Sequence, residues 1–358
     1  MSKIILTKDH AEAAVYGGAV LGGGGGGNIA RGLSRAKLAV QWGSPVLVSI
    51  DEFDDDAILA TASVVGAPAA KEGFLRPKDH IKAFELLLDA RPYELAGIIA
   101  NENGASSGVN GWLQAAAMDL PMVDAPCNGR AHPSGLMGAM GINRIEGYLS
   151  IQTAAGGNPA TGRYLEVVAE GRLETTANMI RYASVQSGGI VAVARDPLDA
   201  GYLRKYAAPG ATSQIIRLGQ QIIGAKEKGA EAVMDAIVAE LKGAVACRGK
   251  ITRVKLETVG GYDVGLVTIE GDQRAEVSFW NEFMTLEWED HRHATFPDLI
   301  TVLSLESGLP VSSAEVREGQ EIGVLVVDRK DLILGEGVRI EEALKEAEVA
   351  IGRPLINP

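Results

Sequence analysis

Apolar residues recur along this chain in two rhythms. Up to about residue 150, short apolar runs alternate with stretches of helical period. Residues 4–6, 46–50, 60–65, 95–100 and 121–123 are compact apolar runs of strand length. The run 60–65 closes in a Gly66-Ala67-Pro68 turn. Between these runs, helices are predicted from Lys8 onward with Thr7 as N-cap, over 29–43, over 80–91 and over 110–120. In the third of these, Ile81, Phe84, Leu87 and Leu88 share one face. Such alternation is the pattern of a parallel sheet covered on both faces.

Beyond residue 150 the rhythm changes. Strands are predicted over 164–169 and 172–174, and helices over 176–187, 213–224 and 230–241. From 246 to 327 strands dominate, separated by turn signals such as Gly260-Gly261 and Gly271-Asp272. A last helix is predicted over 340–350. The expectation is an α/β N-terminal domain with a mainly parallel sheet (1–165), then a β-rich α+β C-terminal domain (166–358) of barrel or sandwich type.

Composition narrows the function classes. A formal net charge of −12 over 358 residues argues against a general nucleic-acid binder and against an anionic membrane surface. No apolar run reaches the roughly 20 residues of a membrane span. The first 20 residues lack the ordered parts of a signal peptide. A cytoplasmic protein is expected, with Cys127 and Cys247 reduced. A homo-oligomer is the default expectation.

The chemistry concentrates in PMVDAPCNGRAHPSGLMGAMG, residues 121–141. Asp124, Cys127, Asn128, Arg130 and His132 fall within nine residues there, directly after an apolar strand. Open α/β sheets place ligands at such strand ends. Cys127 and His132 admit three readings: a thiolate activated by a base, joint ligation of a divalent metal such as zinc with His291 and His293, or a buried small cysteine beside a hydrogen-bonded histidine. Arg130 is either a clamp for a substrate carbonyl or carboxylate or a salt-bridge partner of Asp124. Asn101 and Glu102 sit at another strand end, where a carboxylate acts as general base or caps the next helix. Asn281 and Glu282 follow a strand of the second domain and either meet the first domain across a cleft or form a turn. Six consecutive glycines, Gly22 to Gly27, precede Asn28. Gly24, Gly25, Gly26 and Asn28 can present backbone N–H groups to an anion or carbonyl, or form a plain surface turn. The run is neither a dinucleotide fingerprint nor a phosphate loop.

In order, LGGGGGGNIARG, VVGAPAAKEG, ANENGASSGVNG, AAAMDLPMVDAPCNGRAHP, FWNEFMTL and ATFPDLITVL resemble the S-methyl thiohydantoin desulfurase-like family over nearly the whole chain. Family members read DGDGMGRAFPE where this chain has DAPCNGRAHPS, so Cys127 replaces a glycine, His132 an aromatic and Ser134 an acid. The resemblance implies an α/β domain followed by a β-rich one. It also implies a hydrolase that removes sulfur as a thiol from a small S-substituted thiohydantoin ring, leaving a hydantoin. In that reading Cys127, His132, Glu102 and Asp124 are the catalytic candidates. The glycine loop, Asn101, Asn128, Arg130, Asn281 and Glu282 bind substrate. The alternatives are a ligand-binding or assembly subunit of a hydantoinase-type enzyme, and an ATP-independent cyclic amide hydrolase.

Overall fold

A computed structural model of the chain describes residues 3–67, 69–289 and 291–356; Pro68 of the expected turn lies outside them. The first eight strands are β1 (Ile4–Ile5), β2 (Val46–Val48), β3 (Ile58–Gly66), β4 (Leu95–Ala100), β5 (Met122–Val123), β6 (Ser150–Gly156), β7 (Leu165–Gly171) and β8 (Ile190–Asp199). They form one mixed sheet in the order β1-β2-β5-β4-β3-β8-β6-β7. Its centre, β2-β5-β4-β3, is parallel. Antiparallel strands extend it on both sides. The helices are α1 (Lys8–Leu21), α2 (Ile29–Trp42), α3 (Pro77–Ala90), α4 (Trp112–Met118), α5 (Leu173–Gln186), α6 (Ala200–Tyr206), α7 (Ala211–Ala225), α8 (Ala230–Leu241) and α9 (Glu341–Ile351).

The remaining strands are β9 (Ala244–Val259), β10 (Tyr262–Gly271), β11 (Ala275–Trp280), β12 (Glu282–Trp288), β13 (His291–Thr295), β14 (Leu299–Ser304), β15 (Pro310–Val311) and β16 (Glu321–Val327). They build a second sheet in the order β13-β12-β11-β10-β9-β16-β14-β15. Every pairing in it is antiparallel. The expected α/β domain and β-rich domain are thus both present.

A division at 165 falls at the start of β7, inside the first sheet, and the chain enters the second sheet only at Ala244. The turn between β6 and β7 hides this, because a change from parallel to antiparallel pairing leaves the strand pattern itself unaltered. Residues 172–174, expected as strand, instead open α5: Gly171 ends β7 and Leu173 is the helix's first buried contact.

One apolar core spans both sheets. Val15 and Val20 of α1, Ile215 and Ile222 of α7, and Leu299 and Leu325 of the second sheet belong to a single buried cluster. Helices α1 and α7 approach closely at glycines. A Cβ on Gly17 would lie 1.9 Å from the Ile215 carbonyl oxygen, and one on Gly219 would lie 1.8 Å from that of Ala13. The C-terminal end of β3 and the residues just after β4 lie across from the β11–β12 turn of the second sheet. No helix among the described residues is long and apolar enough to cross a membrane.

Candidate active site

A cleft of about 370 Å³ opens where those strand ends face the second sheet. Its first-domain wall contains Gly26, Asn28, Ser63, Asn101, Glu102, His132 and Arg195; Asn281, Glu282 and Ser312 close it from the other side. The position agrees with the rule that α/β sheets bind ligands beyond the carboxyl ends of their strands.

Glu102 and Glu282 dominate the electrostatics. They are 6% and 2% exposed. Burial lifts the Glu102 carboxyl to about 7, against the backbone N–H of His132, which holds it down. Burial and then the charge of Glu102 hold Glu282 well above the ordinary carboxylate range, opposed by Arg130. A charge on Glu102 therefore favours the protonated form of Glu282. One Glu282 oxygen, Oε2, is buried without a hydrogen-bond partner among the described residues.

His132 braces Glu102. Its backbone N–H donates to Glu102 Oε2 at 3.1 Å, and its ring Nε2 lies 3.3 Å from the same oxygen. Nδ1 lies 3.1 Å from the Ser134 carbonyl oxygen, which can only accept, so Nδ1 carries the hydrogen. Burial and then Arg195 hold this imidazole down to about 3, so it is neutral and turns a lone pair towards Glu102.

Glu282 owes its position to its neighbour. Asn281 takes a left-handed φ of 55°, a conformation asparagine accommodates better than most residues. Its N–H donates to the Asp263 carbonyl at 2.7 Å and its Oδ1 accepts from the Asp263 N–H at 2.9 Å. Turn former and cleft residue are therefore one role here. The glycine loop fits beneath this corner. A Cβ on Gly25 would lie 1.8 Å from Glu282 Oε1, and Gly24 packs under the Phe283 ring. The Phe283 N–H donates to the Gly23 carbonyl at 2.7 Å and the Ser313 N–H to that of Gly24 at 2.9 Å. Within the loop, Gly26 and Asn28 line the cleft, whereas Gly24 and Gly25 serve as the seat of the second domain.

The polar loop expected to be the centre divides in two. His132 faces the cleft; the residues before it face the protein. Cys127 is wholly buried with Ile50, Leu59 and Ile99, its Sγ 3.5 Å from Thr61 Oγ1, and burial pushes its thiol up to about 11. The thiol thus lies among apolar side chains and not on the lining of the cleft. Asp124 instead caps α7, accepting from the Thr212 N–H at 2.8 Å and the Ser213 N–H at 3.1 Å. Asn128 ties the loop to its surroundings, donating to the Arg130 carbonyl at 2.8 Å and accepting from the Gly335 N–H at 3.1 Å.

Arg130 is fully buried and makes no bond to Asp124. It donates to the carbonyls of Pro297, at 3.1 Å, and Asp298, and stacks 4.5 Å from the Phe296 ring centre. From behind the glycine loop it supplies positive charge to Glu282 and Glu102. His291 is exposed, and His293 stacks on Trp288 at 3.2 Å; both histidines belong to β13, the edge strand of the second sheet. The proposed metal set of Cys127, His132, His291 and His293 therefore does not converge. Among the described residues, no three His, Cys, Asp or Glu side chains are close enough to hold an ion. Cys127→Ala should accordingly keep turnover within a few-fold of wild type and cost about 1 kcal/mol of stability; loss of turnover in a folded variant would return the thiol to the site.

Two arginines escaped the sequence reading. Arg195 of β8 is 4% exposed, lines the cleft, and has no hydrogen bond or ion pair among the described residues. Arg181 bridges the two domains through the carbonyls of Gly66 at 3.2 Å, Gly261 at 3.0 Å and Pro133 at 3.0 Å, stacking 4.0 Å from the Tyr262 ring. For Arg195 the available signal was a charge directly at the end of the apolar run 190–194.

The comparisons with known proteins agree with this architecture. A crystal structure of a protein from Chromobacterium violaceum superposes with a TM-score of 0.73 at 22% identity, over 99% of each chain. At that identity the likeness speaks for the fold. No curated protein matches the chain. The S-Me-THD-like N-terminal domain matches residues 9–161 and the S-Me-THD-like C-terminal domain matches residues 172–338. Matched in order through both halves, with a cleft assembled from the two, the chain belongs to the S-Me-THD-like family.

Proposed function

We propose that this protein hydrolyses a small S-substituted thiohydantoin, releasing a thiol and leaving a hydantoin. The observation that carries the reading is the pair Glu102 and Glu282, buried in one cleft and contributed by different domains. The family it belongs to supports a thiohydantoin-associated role.

The reaction needs water to add at the ring carbon bearing sulfur, and two protons to move. Ionised Glu102 takes a proton from water as the oxygen bonds to carbon. Protonated Glu282 gives its proton to the ring nitrogen that receives the C=N electron pair. In the adduct, the new hydroxyl returns a proton to Glu282 as the carbonyl forms. The C–S bond breaks, and the departing sulfur takes the proton held by Glu102. Both carboxyls end as they began. Arg195 faces the same space as a donor for the polarised ring oxygen or the adduct's developing charge. Neutral His132 is a positioning residue: it fixes Glu102 and accepts the hydrogen of its protonated form.

Thiol release from an S-methyl thiohydantoin, followed colorimetrically, tests the reading. With Glu102 required ionised and lifted to about 7, kcat/KM should fall about tenfold per pH unit below that value. Protonation of the folded group at lower pH removes the base, so the limb descends on the acid side. Ring opening without thiol release would favour a cyclic amide hydrolase. Hydantoin binding without any turnover would leave a ligand-binding subunit.

A further inference from the structure

A second cavity, of about 280 Å³, lies outside the cleft between α2 and the N-terminal end of α3. Arg31 and Arg35 stand on its α2 side, one turn apart. Like charges at that spacing repel. Neither has a carboxylate partner among the described residues, although the chain carries 46 acidic residues against 34 lysines and arginines. Arg35 donates only to the Asn110 amide oxygen, at 2.7 Å. Burial and then Arg31 hold its guanidinium down to about 10, as expected where cationic charge is left uncompensated.

A second observation points into the same space. His80 of α3 lines the cavity, is 3% exposed, and its Nδ1 has no hydrogen-bond partner among the described residues. Burial and then Arg35 keep this imidazole neutral. A neutral histidine can donate one N–H without adding charge. The rest of the lining is largely apolar, with Phe74, Leu75 and Leu113, and includes Ser34 and Arg76, whose guanidinium is already paired with Asp79. Two guanidiniums without a carboxylate partner among the described residues, a buried imidazole nitrogen able to carry a hydrogen, and a largely apolar wall together suit an anion with a hydrocarbon body.

We propose that this cavity is a second binding site, for a small organic anion whose carboxylate or phosphate lies between Arg31 and Arg35 and whose apolar body rests on Phe74 and Leu113. It goes beyond the desulfurase reading and stands without it. Arg31, Arg35 and Ile190 also line the cleft. The anion is therefore either a separate molecule beside the cleft or a distal group of a ligand that reaches both chambers.

Titration calorimetry on the full chain separates these cases. Phenylacetate and inorganic phosphate are the probes, each with and without saturating plain hydantoin. Ser34→Glu, at an exposed α2 position on the cavity's rim, sets a carboxylate against the anion. Saturable binding of either probe, persisting with hydantoin present and weakened about tenfold in the variant, supports a separate anion. Tighter binding of a carboxylate-bearing hydantoin than of plain hydantoin, with the gain lost in Ser34→Glu, supports one spanning ligand. Equal affinities in the variant and the wild type, or no binding of either probe and no gain from the carboxylate, overturns the site. Circular dichroism confirms that the variant is folded.

Discussion

Replacing Glu282 by glutamine should lower kcat/KM for thiol release by about 10²–10⁴-fold, the span of a lost proton transfer, in a protein at least as stable as wild type. The amide keeps the shape that fits over Gly25, where the carboxylate oxygen already occupies the place of a side chain. It removes the exchangeable proton. It also removes a titration. The folded pKa of Glu282 lies well above its ordinary value of 4.5, because burial and then Glu102 disfavour the charge. The native state therefore holds a proton that the unfolded chain releases. Its contribution is intact below about 4.5 and is lost as pH rises towards the folded value. Glutamine escapes that loss, so the Tm difference should widen in favour of the variant as pH rises above about 5. Thermal melts across that range, beside steady-state kinetics, make the check. Wild-type turnover in the variant would sink the acid role. A constant Tm deficit at every pH would mean that Glu282 is present for the fold.

Gain of stability with loss of rate is the signature of a group held against its own preference. The sequence already exposed such groups in part. Strand-end loops at 101–103 and 121–132 were legible because apolar runs end there in polar residues, and the Asn281-Glu282 corner because it interrupts a β-rich stretch. Which way each loop residue points was not legible. Cys127 and His132 are five positions apart, yet one packs against Ile99 and the other faces the cleft. Asp124 found its partners at Thr212 and Ser213, a separation no local spacing encodes. The glycine run reads as a donor of N–H groups, but much of its purpose is steric, since Glu282 and Phe283 arrive from more than 250 residues away. Fold class followed from rhythm alone, while the antiparallel half of the first sheet did not. Pairing direction depends on connections that the apolar pattern does not record.

Arg195→Met should lower kcat by about 10²–10³-fold with little change in KM, as for a donor that engages charge developing in the transition state. Arg195 sits on β8, opposite Thr61 of β3 and Gln152 of β6, in the interior of the first sheet. Glu102 and Asp196 act on it through space, but no carboxylate is ion-paired with it among the described residues, so desolvation of the buried guanidinium is offset only in part. Methionine has similar length and asks for no partner. The variant should therefore melt at or above the wild-type temperature, the opposite of what a structural arginine would give. Arg195→Lys keeps the charge but loses the planar pair of donors, so its rate should fall between the two. The acid limb adds an independent reading. Arg195 helps to hold Glu102 down against burial. Removing it should move that limb upward in pH, in the direction of a harder-to-ionise carboxyl. An unshifted limb with a lower Tm would assign Arg195 to the scaffold; a raised limb, a higher Tm and a slow enzyme would assign it to the reaction.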